Sequence, residues 1–230
     1  MSLRAILFDF DGVLADTEPI HFAMFREVLK QEGISLSKSV YYEKYLGLDD
    51  RACFAAVYKD QGRRLEAATR ESLIQNKNKA LLKFVDGRPV LLPGVETFVE
   101  KMMNQNYFLA IVSGALKSEI LAILDGVGLR DKFHVIVAAD DVAQGKPDPE
   151  GFLMAIRLLN RDFIPPAEIL FGPECLAIED SPWGIEAAHQ AGAPCLGVLT
   201  SYPKNRLCEA DLLFPDLASV SWKAVEKLFR

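Results

Sequence analysis

The chain has 230 residues, 50% hydrophobic and 25% charged, with a formal net charge of −6 and a sequence pI near 5.2. A chain of this length and balance folds into a globular protein that buries roughly 70% of the surface exposed when unfolded. It lacks the basic field that recruits nucleic acid or anionic lipid, and no apolar run is long enough to cross a membrane, so the expected partner is a small molecule. The four cysteines, Cys53, Cys175, Cys195 and Cys208, form no CxxC pair and no metal-type spacing. With no signal segment, they read as reduced thiols of a cytoplasmic protein, expected to be a monomer.

The first predicted element is the apolar strand Ala5-Ile6-Leu7-Phe8, which runs straight into Asp9-Phe10-Asp11-Gly12. Side chains alternate across a strand, so Asp9 and Asp11 share one side and Phe8 and Phe10 the other. At about 3.3 Å rise per residue the two carboxylates lie about 7 Å apart along the backbone and can converge. Converging anions raise one another's pKa unless a cation or donor intervenes. An Asp-Gly turn accounts for Asp11-Gly12, but not for a second acid aimed at the same place.

Residues 17–87 carry helical patterns and no convincing strand. Thr17 is placed to cap the first helix, with Glu18-Pro19 in its opening turn. Further helices are expected over 38–46, from Asp49 onward with Cys53, Phe54 and Val57 on one side, and over 65–85, closed by Gly87. Beyond this the pattern alternates. Strands are expected at 108–112, 134–138, 176–179 and 195–199, and helices at 95–104, 117–127, 150–159 and 184–191. Strands separated by helices imply right-handed crossovers and a parallel sheet. The fold expected is therefore α/β, a doubly wound Rossmann-like parallel sheet whose core comprises residues 1–16 and 88–230. An all-helical segment, 17–87, is inserted after the first strand.

Open sheets of this kind bind ligands at the carboxyl ends of their strands, and three further strand ends carry polar residues. The strand at 108–112 delivers Ser113-Gly114, which reads as a helix cap or as an anion site made of a hydroxyl and backbone N–H groups. Gly145-Lys146-Pro147-Asp148-Pro149 reads as a turn with a lysine and is not a Walker loop, since Pro147 stands where Ser or Thr is needed. The strand at 176–179 ends in Glu179-Asp180-Ser181-Pro182. Capping requires one polar residue, so two adjacent acids are surplus.

Each element is ambiguous alone, but their order is specific. DFDGVLADTE, then Ser113, then Lys146 within GKPDPE, then Glu179-Asp180 within IEDSPWGIEAAHQAG resembles the four motifs of the haloacid dehalogenase-like superfamily, in its phosphatase and phosphoglucomutase-like branch. The resemblance spans nearly the whole chain, and 17–87 corresponds to that branch's helical cap. It implies Asp9 as the nucleophile that forms an aspartyl-phosphate, and Asp11 as the acid/base. It implies Mg²⁺ held by Asp9, Asp180 and the Asp11 carbonyl with Glu179 nearby, and Ser113, Gly114 and Lys146 around the phosphoryl oxygens. The implied substrate is a small phosphorylated metabolite, a sugar or polyol phosphate. His21, one turn into the first cap helix, and Arg51 are candidate substrate contacts. Residues 17–87 are expected to move as a lid, crossing to the core near Ala15-Asp16 and near Gly87-Arg88-Pro89.

Two features favour a phosphatase over a sugar phosphomutase of the β-phosphoglucomutase type. Glu18-Pro19 resembles phosphatase members, and Ala115-Leu116-Lys117 replaces the Ser-Lys-Asn-like run with which such mutases grip a second phosphate. A dehalogenase has no need of the acid/base Asp11. A phosphate-accepting signalling receiver is about half this length and has no helical insertion.

Overall fold

Alternation along the strands sorts the sheet into two packed faces. A computed structural model describes residues 2–88 and 90–229; Pro89, in the expected second crossing, lies outside them. The strands β1 (Ala5–Phe8), β2 (Phe108–Val112), β3 (Val135–Val137), β4 (Cys175–Glu179), β5 (Cys195–Val198) and β6 (Leu212–Phe214) form one sheet in the order β3-β2-β1-β4-β5-β6. All pairings are parallel. Ile6, Phe8, Leu109, Ile111, Leu176 and Ile178 face one side. There they pack on α5 (Val95–Asn104), α6 (Lys117–Val127) and α9 (Trp222–Leu228). Leu7, Ala110, Val112 and Ala177 face the other, against α7 (Glu150–Asp162) and α8 (Pro182–Gln190). Helices on both faces of a parallel sheet are what right-handed crossovers produce.

Between β1 and β2 lie four helices, α1 (Glu18–Gln31), α2 (Lys38–Lys44), α3 (Asp50–Asp60) and α4 (Ala67–Val85). They share a separate apolar cluster around Phe25, Leu29, Tyr41, Cys53, Phe54 and Leu73. This is the inserted helical cap. Asp49 caps α3, its carboxylate accepting from the Ala52 N–H at 2.8 Å. Thr17 departs from the expected role. It occupies the cap position of α1 but makes no side-chain capping bond; its hydroxyl donates to Asp11 Oδ1 instead. The two connections run side by side, with Asp16 N–H donating to Val90 O at 2.7 Å and Ala15 bridging Leu91.

The order places β1 beside β4, where crossovers on one side give way to crossovers on the other. This is the switch point at which such sheets bind ligands. Asp9 follows β1, and Glu179 closes β4 next to it; the Asp9 N–H donates to Ile178 O at 2.9 Å. Beyond residue 199 the sequence pattern gave no element. β6 has only three residues, all half-buried, and α9 only seven, too short for either periodicity to register.

Phe8 is fully buried and meets Phe98 and Phe133 edge-on at centroid distances of 6.1 and 5.9 Å. Phe8→Ala should lower the unfolding free energy by about 3–5 kcal/mol, read as a fall in the urea midpoint. A loss near 0.5 kcal/mol, the scale of a surface change, would contradict this packing.

Candidate active site

The carboxyl edge of the sheet and the underside of the cap enclose a cavity of about 600 Å³, within the range of small-molecule sites. Asp9, Asp11, Ser113, Gly114, Lys146 and Asp180 line its core side, and His21 and Arg51 its cap side. Glu179 is the exception among the predicted residues. It is fully buried and sits behind Lys146 rather than on the cavity wall.

Local geometry explains each placement. After β1 the chain turns at Gly12, whose φ of +76° suits glycine. A Cβ there would lie 1.9 Å from Asp180 Oδ2, so the turn and the β4 acid can be neighbours only with glycine between them. After β4, Ser181 caps α8, accepting from the Gly184 N–H at 3.0 Å, and donates its own proton to Glu179 Oε2 at 3.1 Å. A Cβ on Gly184 would lie 1.9 Å from Glu179 Cδ, so the helix start pins that carboxylate. After β2, the Ser113 hydroxyl accepts from the Ala115 N–H at 3.0 Å. Ser113 is not the cap of α6, which begins four residues later.

Lys146 reaches the centre. Its Nζ donates to Asp9 Oδ1 and Glu179 Oε1 and to Val112 O at 2.9 Å. Both acids hold the ammonium pKa above the usual lysine value, outweighing the downward pull of burial. Burial drives the Asp9 carboxyl up to about 8, Lys146 opposes, and Glu179 and Asp11 add to the rise. Burial, Asp9 and Glu179 push Asp180 well above the carboxylate range.

Asp11 behaves oppositely. Burial alone would raise it, but the charge and hydrogen bond of His21, with the Thr17 hydroxyl, bring it below its ordinary value. His21 Nε2 lies 3.4 Å from Asp11 Oδ1. Burial and Lys77 pull the imidazole down, yet Asp11 and Glu119 outweigh them and its pKa rises. Each group thus favours the charged form of the other.

Asp9, Glu179 and Asp180 each offer a carboxylate oxygen, all within 4.8 Å of one another. One lysine against three buried carboxylates leaves two negative charges unbalanced, which a divalent cation would neutralise. An all-oxygen donor set suits a hard cation. Glu179 is already engaged by Lys146, Ser181 and the Asp180 N–H, so Asp9 and Asp180 are the better placed ligands.

Sequence reasoning missed Lys77. It is fully buried on α4, donating to Asp50 Oδ1 at 2.7 Å and to Glu119 Oε1 at 3.3 Å. The available signal was its position: Leu73, Ile74, Lys77, Leu81 and Val85 form the buried stripe of α4, and a lysine there needs partners. Tyr202, also unforeseen, lines the cavity and ties core to cap by donating to Leu46 O at 2.7 Å.

Residues 6–198 match the family described as haloacid dehalogenase-like hydrolase. The chain is 30% identical over 225 residues to validoxylamine A 7'-phosphate phosphatase of Streptomyces hygroscopicus subsp. limoneus, covering 95% of this chain and 96% of that protein. It is 28% identical over 205 residues to β-phosphoglucomutase of Bacillus subtilis, covering 87% and 85%. The fold is similar to the crystal structure of β-phosphoglucomutase from Clostridium difficile, with a TM-score of 0.86 at 22% identity over 99% of this chain and 97% of that one.

A cation that fits the acid cluster stabilises the folded state by mass action. Mg²⁺ at about 100 times its dissociation constant should add about 2.7 kcal/mol, read as a rise in Tm. Asp180→Asn should abolish that rise. An equal rise in both proteins would place the cation elsewhere.

Proposed function

The chain belongs to the haloacid dehalogenase-like hydrolases and is a phosphoric monoester hydrolase, and we propose that it releases phosphate from a small sugar or polyol monophosphate through an aspartyl-phosphate on Asp9. The observation that carries this reading is the placement of Asp9 on the cavity wall, held by Lys146, with Glu179, Asp180 and Asp11 beside it.

Asp9 Oδ attacks phosphorus while the ester P–O bond breaks, and the leaving oxygen takes a proton from Asp11. Asp11 draws that proton from the protonated His21 imidazole, whose Nε2 lies 3.4 Å from Asp11 Oδ1. Water then attacks the phosphoryl group and gives a proton to Asp11, freeing Asp9 and inorganic phosphate. Ser113, Gly114 and Lys146 hold the phosphoryl oxygens. Asp9, Asp180 and the Asp11 carbonyl, with Glu179 behind, would hold Mg²⁺, which would supply positive charge against the dianion. Monoester hydrolysis calls for acceleration of up to about 10²¹-fold, about 28 kcal/mol. One acid/base group contributes about 10²–10⁴-fold, so positioning and charge neutralisation must supply most of the rest.

The cap, residues 17–87 in this reading, acts as a lid that excludes water. His21 and Arg51 face the leaving group from it. A phosphomutase would need a second anion grip. Of the two candidates, Lys117 is committed to Asp141 at 2.7 Å and lies outside the cavity lining, whereas Arg51 lines the cavity; the preference for hydrolysis therefore rests on Ala115-Leu116-Lys117 and Glu18-Pro19 in the sequence.

Asp9→Asn should lower phosphate release by about 10³-fold or more while leaving the Tm within a few degrees. Undiminished turnover in that variant would remove the covalent route. The competing reading is tested with β-glucose 1-phosphate, Mg²⁺ and a trace of the 1,6-bisphosphate. Rapid conversion to glucose 6-phosphate with little free phosphate would replace the phosphatase by a mutase.

A further inference from the structure

Glu119 is 2% exposed, outside the cavity lining, and unused by the proposed mechanism. It occupies the first turn of α6 and has one oxygen on each of two structures. Oε1 accepts from Lys77 of the cap at 3.3 Å, and Oε2 accepts from the Leu116 N–H at 3.4 Å. Leu116 ends the run 113–116, every member of which lines the cavity. Lys77 in turn holds Asp50 at 2.7 Å, and Asp50 opens α3 beside Arg51 and also lines the cavity.

A lysine with no exposed surface needs both its carboxylates, because an uncompensated buried charge is strongly disfavoured. One of these carboxylates belongs to the cap and the other to the core. Seating α4 on α6 is therefore what completes the lysine's shell. The same carboxylate holds the Leu116 N–H at the end of the loop that lines the cavity. Asn78 and Ser118 also join these helices, Asn78 Nδ2 lying 3.1 Å from Ser118 Oγ, but that pair is exposed and involves no charged group.

We propose that Glu119 is a positioning residue that couples seating of the cap to the geometry of the 113–116 loop, through Lys77 on one oxygen and the Leu116 N–H on the other. The inference rests on the reading that this loop grips the phosphoryl group. Two variants separate the two oxygens. Glu119→Gln keeps an amide oxygen for Leu116 but loses the charge facing Lys77, whereas Glu119→Ala loses both.

Hydrogen exchange of the whole chain reads the coupling without reference to activity. In Glu119→Gln, the amides of α4 around Lys77 should exchange faster while 114–116 stay protected. In Glu119→Ala both segments should exchange faster, and Asn78→Ala should alter neither. The inhibition constant of inorganic phosphate with Mg²⁺, and the KM of any hydrolysed ester, should rise by about 10- to 100-fold in Glu119→Ala. Glu119→Gln should largely restore both. Unchanged exchange at α4 in Glu119→Gln overturns the coupling even if Glu119→Ala does not fold. A loss of Tm alone, with wild-type phosphate inhibition and KM in both variants, also overturns it. Wild-type protein that neither releases nor is inhibited by phosphate would instead overturn the proposed function, while exchange still reports on the link.

Discussion

The ammonium of Lys146 between Asp9 and Glu179 is the contact on which the rest of the site depends. Pairing β1 with β4 sets these two acids side by side at the end of a buried sheet, and the local donors to Glu179, the Ser181 hydroxyl and the Asp180 N–H, carry no charge. The lysine arrives from 137 residues beyond Asp9, carried by the loop between β3 and α7 over the ring of Phe152 at 5.5 Å. A buried carboxylate pair of this kind is tolerable only once the cation is in place. The charge balance of the site therefore depends on the loop between β3 and α7 being seated against the ends of β1 and β4. A single positive charge still leaves Asp180 and one neighbour to be satisfied, a deficit that a hard divalent cation would meet.

What was legible in the sequence was what short-range geometry controls. Apolar runs ending in Asp9, Ser113 and Glu179 declared themselves as strand ends, because a two-residue period and a crossover rule suffice to bring such ends to one edge. The helical insertion was legible too, since Asp49 and Gly87 mark helix boundaries by their residue type. Pairing set by helix packing was not legible. Lys77 and Glu119 are 42 residues apart, and no local pattern says that α4 will lie on α6. Thr17 illustrates a subtler limit. Its residue type suits a cap, but the half-buried Asp11 carboxylate six residues away takes its hydroxyl in a charge-assisted bond stronger than a neutral capping bond.

That competition has a consequence for how the cap and the chemistry are joined. Asp11 lies in the turn between β1 and the first cap helix, where the chain begins to leave the core. Two side chains that contact it, Thr17 and His21, come from the start and first turn of α1. The group assigned here to proton transfer is thus attached to the core by its backbone and to the cap by its hydrogen bonds. A cap that swings away takes those donors with it and returns Asp11 to water. A seated cap supplies both donors, places Lys77 against Glu119 and closes Tyr202 onto Leu46. Proton transfer, phosphate-loop geometry and exclusion of solvent then share one conformational requirement, and the insertion point directly after the first strand is the position in the chain that allows it.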